Sequence, residues 1–154
     1  MPLSVVTSEA VNFLISTLII LGFILAYGLG ITKYVILYPV ILLIQYILCL
    51  GLSLIVSSVT VFFRDLQHFI GVILQLLFYA TPIVYSIQTI PEQYRWILKV
   101  NPMTYIIEGY RDIFYNQCMP DMKMLGIVLI IGIATCIIGY IIFNKLQKKF
   151  AEEL

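Results

Sequence analysis

Charge falls in a few narrow places along the chain, and long apolar runs fill the space between them. Residues 10–32, 34–63, 66–91 and 124–144 carry no Asp, Glu, Lys or Arg. A helix of about 20 apolar residues crosses a bilayer core of roughly 30 Å. Each run is long enough for one crossing and too short for two. The pattern predicts an all-α membrane protein with four transmembrane helices, over about residues 10–32, 39–63, 66–86 and 124–144, in a single transmembrane domain.

Prolines and aromatics refine these boundaries. The second run is too long for one straight crossing. Pro39 suits the first helical turn, where its missing N–H leaves nothing unpaired. Tyr34 and Tyr38 beside it suit a membrane interface. In the third run Pro82 pushes Thr81 out of helical geometry, so the helix is expected to stop or kink there. The stretch over about residues 90–116 is too polar to cross and reads as two short helices. The first starts at Pro91 and Glu92, a proline and an acid suited to a helix start. The second starts at Asn101 and Pro102, an N-cap followed by proline. Helices this short are interfacial or re-entrant. Tyr94, Trp96, Tyr105, Tyr110, Phe114 and Tyr115 fit the headgroup zone.

The tail, 145–154, carries Lys145, Lys148 and Lys149 at the membrane edge. The positive-inside rule places it in the cytoplasm. Four crossings then put the N-terminus on the same side. Arg64 and Asp65 form a cytoplasmic turn, and the two short helices face outward.

Composition closes off the soluble classes. Of 154 residues, 62% are hydrophobic and 11% charged, against about 25% charged in globular domains. A net charge of +1 gives no basic field for nucleic acid. The opening MPLSVVTSEA lacks the positive region of a signal peptide. Cys49, Cys118 and Cys136 show no metal or disulfide spacing. Cys49 and Cys136 read as apolar filler, and Cys118 as a free thiol on the outer face. His68 has no second ligand near it and reads as interfacial. No phosphate loop, nucleophile elbow or zinc-protease motif occurs, so an enzyme is not expected. The first, second and fourth spans lack the ionisable residue that ion-coupled pumps use.

Milder signals remain. Ser53, Ser57 and Thr60 share one helical face, read as helix packing by small residues rather than as a pore-lining stripe, and Gly51 suits the same packing. Gln45 and Gln75 are further mild polar positions within the spans. Glu108 and Arg111 stand three apart and can pair, or Arg111 can attract a pyrophosphate or anionic sugar. Phe78, Tyr79 and Tyr85 gather at the outer end with Tyr94, Trp96 and Tyr105, as an interface belt or as a surface on which sugar faces stack.

The order of several short pieces resembles a known family. FFRDL at 62–66, TPIVY at 81–85, Ile90-Pro91, NPMTY at 101–105 and GYRD at 109–112 resemble the C-terminal half of type-2 ABC transporter permeases, nearest the teichoic-acid and O-antigen exporters. The resemblance covers nearly the whole chain and lacks the family's N-terminal half, as expected of a fragment or a truncated gene. It implies a bacterial inner-membrane permease exporting a polysaccharide or lipid-linked glycan. The family works as a dimer of six-span subunits with two ATPase subunits, which hold the ATP and Mg; this chain needs no cofactor of its own and supplies spans three to six. Arg64 and Asp65 would face the ATPase. Phe78, Tyr79 and Tyr85 would contact the glycan. Pro91, Asn101, Pro102 and Arg111 would belong to the re-entrant outer segment. A drug or lipid exporter of the same superfamily, and a four-helix membrane scaffold, stand as alternatives.

Overall fold

The computed structural model describes residues 2–27, 33–62, 66–83, 85 and 89–152, almost all of them helical. Helix α1 spans Pro2–Ala26. A 3-10 turn, Lys33–Leu37, leads into α2, Tyr38–Phe62. Helix α3 spans Leu66–Ala80. A second 3-10 turn, Glu92–Tyr94, leads into α4, Arg95–Val100. Helix α5, Pro102–Arg111, runs into a π turn, Asp112–Asn116. Helix α6 spans Met122–Glu152. Among the described residues there is no strand.

Among the described residues, three stretches are long and apolar enough to cross a membrane: Pro2–Ala26, Lys33–Thr60 and Met122–Lys145. The third apolar run gives a shorter helix than the 66–86 expected. Helix α3 has 15 residues, about 22 Å at 1.5 Å per residue, and it ends at Ala80, just before the Thr81-Pro82 step. Two other boundaries also differ. Helix α1 begins at Pro2 and takes Glu9 into the helix. The expected tail from 145 onward continues α6 as far as Glu152.

Glycines set the closest helix pair. An added Cβ at Gly51 would stand 2.5 Å from Thr135 Oγ1 and 2.6 Å from Cys136 N. Gly132 lies against Ile47 and Leu48, and Gly139 against Gly51, Leu54 and Ile55. These approaches bring backbone to backbone, which side chains would prevent. The Cys136 thiol uses the closeness to donate to the Ile47 carbonyl at 3.1 Å. Later residues of α2 meet later residues of α6 throughout, so the two helices run parallel. Helix α1 runs the other way. Thr7 hydrogen-bonds Tyr46 at 3.0 Å, and the Tyr38 hydroxyl donates to Thr17 at 2.9 Å. The start of α1 and the end of α6 therefore lie at one end of the bundle, the tail end. The starts of α2 and α6 lie at the other.

The parallel pair constrains the path between its members. Helices α2 and α6 leave from the same end, so the chain must travel back between Phe62 and Met122. Helix α3 is the apolar helix on that return leg.

The core sits where α5 is wedged against the starts of α2 and α6. Tyr38, Ile41, Ile44 and Leu48 of α2 meet Ile106, Ile113, Leu125 and Val128. Gly109 lets α5 approach, since a Cβ there would lie 3.2 Å from Ile41 Cδ1. The Asp121 carboxylate caps α6 by accepting from the N–H groups of Lys123 and Met124 at 3.1 and 3.2 Å. Aromatics complete the wedge. Tyr110 stacks obliquely on Phe13 and Tyr38 at 5.5 and 5.7 Å, and Tyr38 on Phe114 at 5.8 Å. Tyr110 and Phe114 are partly buried against the core, while Tyr94, Trp96 and Tyr115 are exposed. Thr17 is level with Tyr38, so α1 continues past the start of α2 to Ala26, about 13 Å by helix rise.

Candidate functional site

The short motifs of the sequence meet at the end of α3. Helix α3 stops because Thr81 precedes proline, and the Thr81 hydroxyl turns back to the Leu77 carbonyl at 2.6 Å. Asn101 caps α5: its Oδ1 accepts from the Met103 N–H at 3.0 Å. Its Nδ2 donates to Thr81 Oγ1 at 2.9 Å, across 20 positions of sequence. Arg111, on the last turn of α5, donates through one guanidinium nitrogen to the carbonyls of Pro82 at 2.9 Å and Tyr85 at 3.2 Å. TPIVY, NPMTY and GYRD are thereby joined in one hydrogen-bonded latch. Arg111 makes these bonds rather than the Glu108 ion pair that its spacing allows. Among the described residues, Arg95 and Glu92 form an ion pair at 3.6 Å, near the surface. Pro102 opens α5, and Pro91 is exposed, its carbonyl accepting from the Tyr94 N–H at 3.0 Å.

The three predicted aromatics are together beside the latch. Phe78 and Tyr79 close α3 edge-to-face at 5.7 Å, both exposed. The Tyr85 hydroxyl donates to the Tyr79 carbonyl at 2.7 Å. Phe78 and Tyr79 form an exposed aromatic shelf, with the half-buried Tyr85 beside it. Arg64 and Asp65 lie outside the described residues.

The hydroxyl stripe of α2 does not pack helices together, contrary to expectation. Ser53, Ser57 and Thr60 line a cleft of about 400 Å³ with Pro2, Val5, Gln67 and Ile70, between α1, α2 and the tail-end half of α3. Two of the three bond carbonyls of their own helix. Ser57 donates to the Leu54 carbonyl at 3.1 Å, and Thr60 to Val56 and Ser57 at 2.9 and 3.2 Å. The α2–α6 contact falls instead to the glycines.

A second cavity, of about 490 Å³, separates α1 from α2. Glu9, Asn12 and Ser16 line it from α1, and Gln45 and Tyr46 from α2. The polar group on α1 was not anticipated, although Glu9, Asn12 and Ser16 recur on one helical face and periodicity could have found them. Gln45 has a definite structural task that no local pattern signals. Its Oε1 accepts from the Tyr110 hydroxyl at 2.8 Å, across 65 positions, and so ties α5 to α2. Among the described residues no group of three or more His, Cys, Asp or Glu side chains could hold a metal ion.

The family is decided by comparison with known proteins. Residues 3–115 match the ABC-2 type transporter membrane family. The chain belongs to that family. This ABC-2 chain is also similar to curated relatives along its whole length. Two from Klebsiella pneumoniae, each called O-antigen export system permease protein RfbA, are 37% and 38% identical over 99% of the chain. A third of the same description, from Myxococcus xanthus, is 35% identical over 100% of it. The ABC-2 chain spans 59–60% of the length of these relatives. The latch, the aromatic shelf and most of the core wedge fall within the family match, and α6 follows it.

Proposed function

We propose that this chain is part of the membrane-spanning subunit of an ABC exporter that moves a polysaccharide or lipid-linked glycan out across the bacterial cytoplasmic membrane. The observation that carries the reading is similarity, along the whole chain, to relatives described as O-antigen export permeases. ATP and Mg belong in this reading to a separate ATPase subunit, and a second permease copy completes the pathway. Four crossings are proposed. The parallel α2–α6 pair supports them, because α3 is the apolar helix on the return leg. The lysine-rich tail supports a cytoplasmic tail end, with both ends of the chain on that side and Arg64 and Asp65 facing the ATPase. The α4–α5 segment is then re-entrant from the outer face, and Phe78, Tyr79 and Tyr85 offer ring faces to the passing glycan.

A chimera tests this. The matching part of a Klebsiella pneumoniae O-antigen export permease is replaced by this chain, in cells lacking that permease but keeping its ATPase. Surface O-antigen is then measured with antibody. Restored surface glycan is expected. A chimera that inserts and co-purifies with the ATPase yet leaves the glycan inside would overturn the cargo assignment.

A further inference from the structure

Helix α1 carries a single charged residue, Glu9. Two contacts set its level in the bundle. Thr7 bonds Tyr46 at 3.0 Å and Thr17 bonds Tyr38 at 2.9 Å, with α1 antiparallel to α2. Glu9 therefore stands beside Ile44, Gln45 and Tyr46, and lines the cavity of about 490 Å³ with the last two. The stretch Lys33–Thr60 is long and apolar enough to cross a membrane, and its middle falls next to Tyr46. The Glu9 carboxyl is thus near mid-bilayer, roughly 15 Å from either face of the hydrocarbon core. Ionisable side chains at that depth face the interior of a bundle and pair. Among the described residues no hydrogen bond or ion pair reaches Glu9. Its neighbours offer it little. The Ser16 hydroxyl donates to the Asn12 carbonyl at 3.0 Å, and Gln45 Oε1 is held by Tyr110. Val5, Ala10, Phe13 and Leu42 make the other walls apolar. What α1 presents to the cavity is a carboxyl and, three residues on and on the same face, the Asn12 amide.

We infer that this cavity seats a transmembrane helix from the part of the permease subunit that this chain does not cover, and that the helix brings a Lys or Arg side chain to Glu9. The chain spans 59–60% of the length of its relatives, so about two-fifths of such a subunit lies outside it. In lipid, a helix can present a polar side chain without leaving its own backbone unbonded. A lipid tail has no donor to offer a carboxyl group. An ammonium or guanidinium has, and its charge-assisted bond strengthens where the dielectric is low. The Asn12 Oδ1 can share the same cation. A second copy of this chain is the wrong occupant, because its apolar runs, 10–32, 34–63, 66–91 and 124–144, hold no Lys or Arg to bring to that depth. Glu9 is then a positioning residue. It fixes the depth and the face at which the added helix docks, as single buried polar groups fix register elsewhere. The inference rests on family membership and on the register of α1, not on the cargo.

The test maps contacts in membranes of the cells that make the protein. A photo-crosslinking benzoylphenylalanine replaces Asn12 in the full chain, and adducts are sequenced by mass spectrometry. Illumination is expected to join it to a membrane segment similar to the part of the O-antigen export permeases that this chain leaves uncovered, within a helical turn of a Lys or Arg. Glu9→Lys should lower the yield of that adduct by about tenfold or more, since it sets like charges face to face. Exchanging the mapped Lys or Arg for Glu in the Glu9→Lys background should restore it. If the label at Asn12 keeps the chain out of the membrane, the same label at Ser16, which lines the same cavity, is read in its place. Adducts confined to lipid or to a second copy of this chain would overturn the inference, as would no adduct at either position. A partner segment without a Lys or Arg in reach, or an adduct that Glu9→Lys leaves at full yield, would do the same.

Discussion

Arg111 is a residue whose surroundings decide what its charge does. On the sequence it stands three places from Glu108, a spacing that permits an ion pair. In the fold its guanidinium donates instead to the carbonyls of Pro82 and Tyr85, which lie past the end of α3. Glu108 is left partly buried near Asp112. Burial first, and then the Asp112 charge, raise its pKa, against the opposing pull of Arg111 and Lys99. From the ordinary glutamate pKa of 4.5 up to this raised one, the folded chain binds more protons than the unfolded chain. Stability therefore falls as pH rises through that interval. Glu108→Gln is expected to flatten this dependence, as read by thermal unfolding in detergent across a pH series. An unchanged slope would assign the dependence to another group.

Elements are held by features of unequal visibility. The α2–α6 pair depends on close backbone contact at Gly51, where an added methyl meets main-chain atoms of Thr135 and Cys136. Gly51→Ala is expected to destabilise the bundle by about 1–3 kcal/mol, the usual range for overpacking. Gly71→Ala on α3, where a Cβ meets nothing within 4 Å, should cost nothing and gain slightly from helix propensity. Denaturant midpoints of the two variants separate these outcomes. Much of the fold is legible in the amino-acid sequence. Pro39 marks the start of α2, Pro82 the end of α3 and Asn101 the cap of α5, because proline and capping chemistry act within a turn. The latch is not legible there, since its partners lie 20 to 29 positions apart. The packing role expected of Ser53, Ser57 and Thr60 fails for a related reason. Periodicity says which residues share a face, not what that face meets, and here it meets a cleft. The aromatics of the outer segment divide likewise. Composition puts Tyr110 and Trp96 in one class, and packing half-buries Tyr110 against the core and leaves Trp96 exposed.

At the scale of the whole molecule, the direction of helices carries the topology. Gln67 lies in the tail-end cleft with Pro2 and Thr60, and the proposed four crossings put Glu92 at the opposite end of the bundle. Gln67→Cys is expected to react with a membrane-impermeant maleimide only in inverted vesicles, and Glu92→Cys only in intact cells. Reaction of both from one side would remove α3 from the set of crossings.

The toothed α2–α6 contact also dictates the order in which the protein can be assembled. The ribosome delivers α2 long before α6, so the glycine face of α2 first meets lipid, which cannot fill notches shaped for backbone. Helices α3, α4 and α5 enter and must wait as well, since the α5 wedge needs Leu125 and Val128 to close its core. A nascent chain stopped anywhere before residue 125 thus holds its native neighbours in sequence but not in space. Quality control in the membrane would meet it as an unfinished bundle until the last helix arrives.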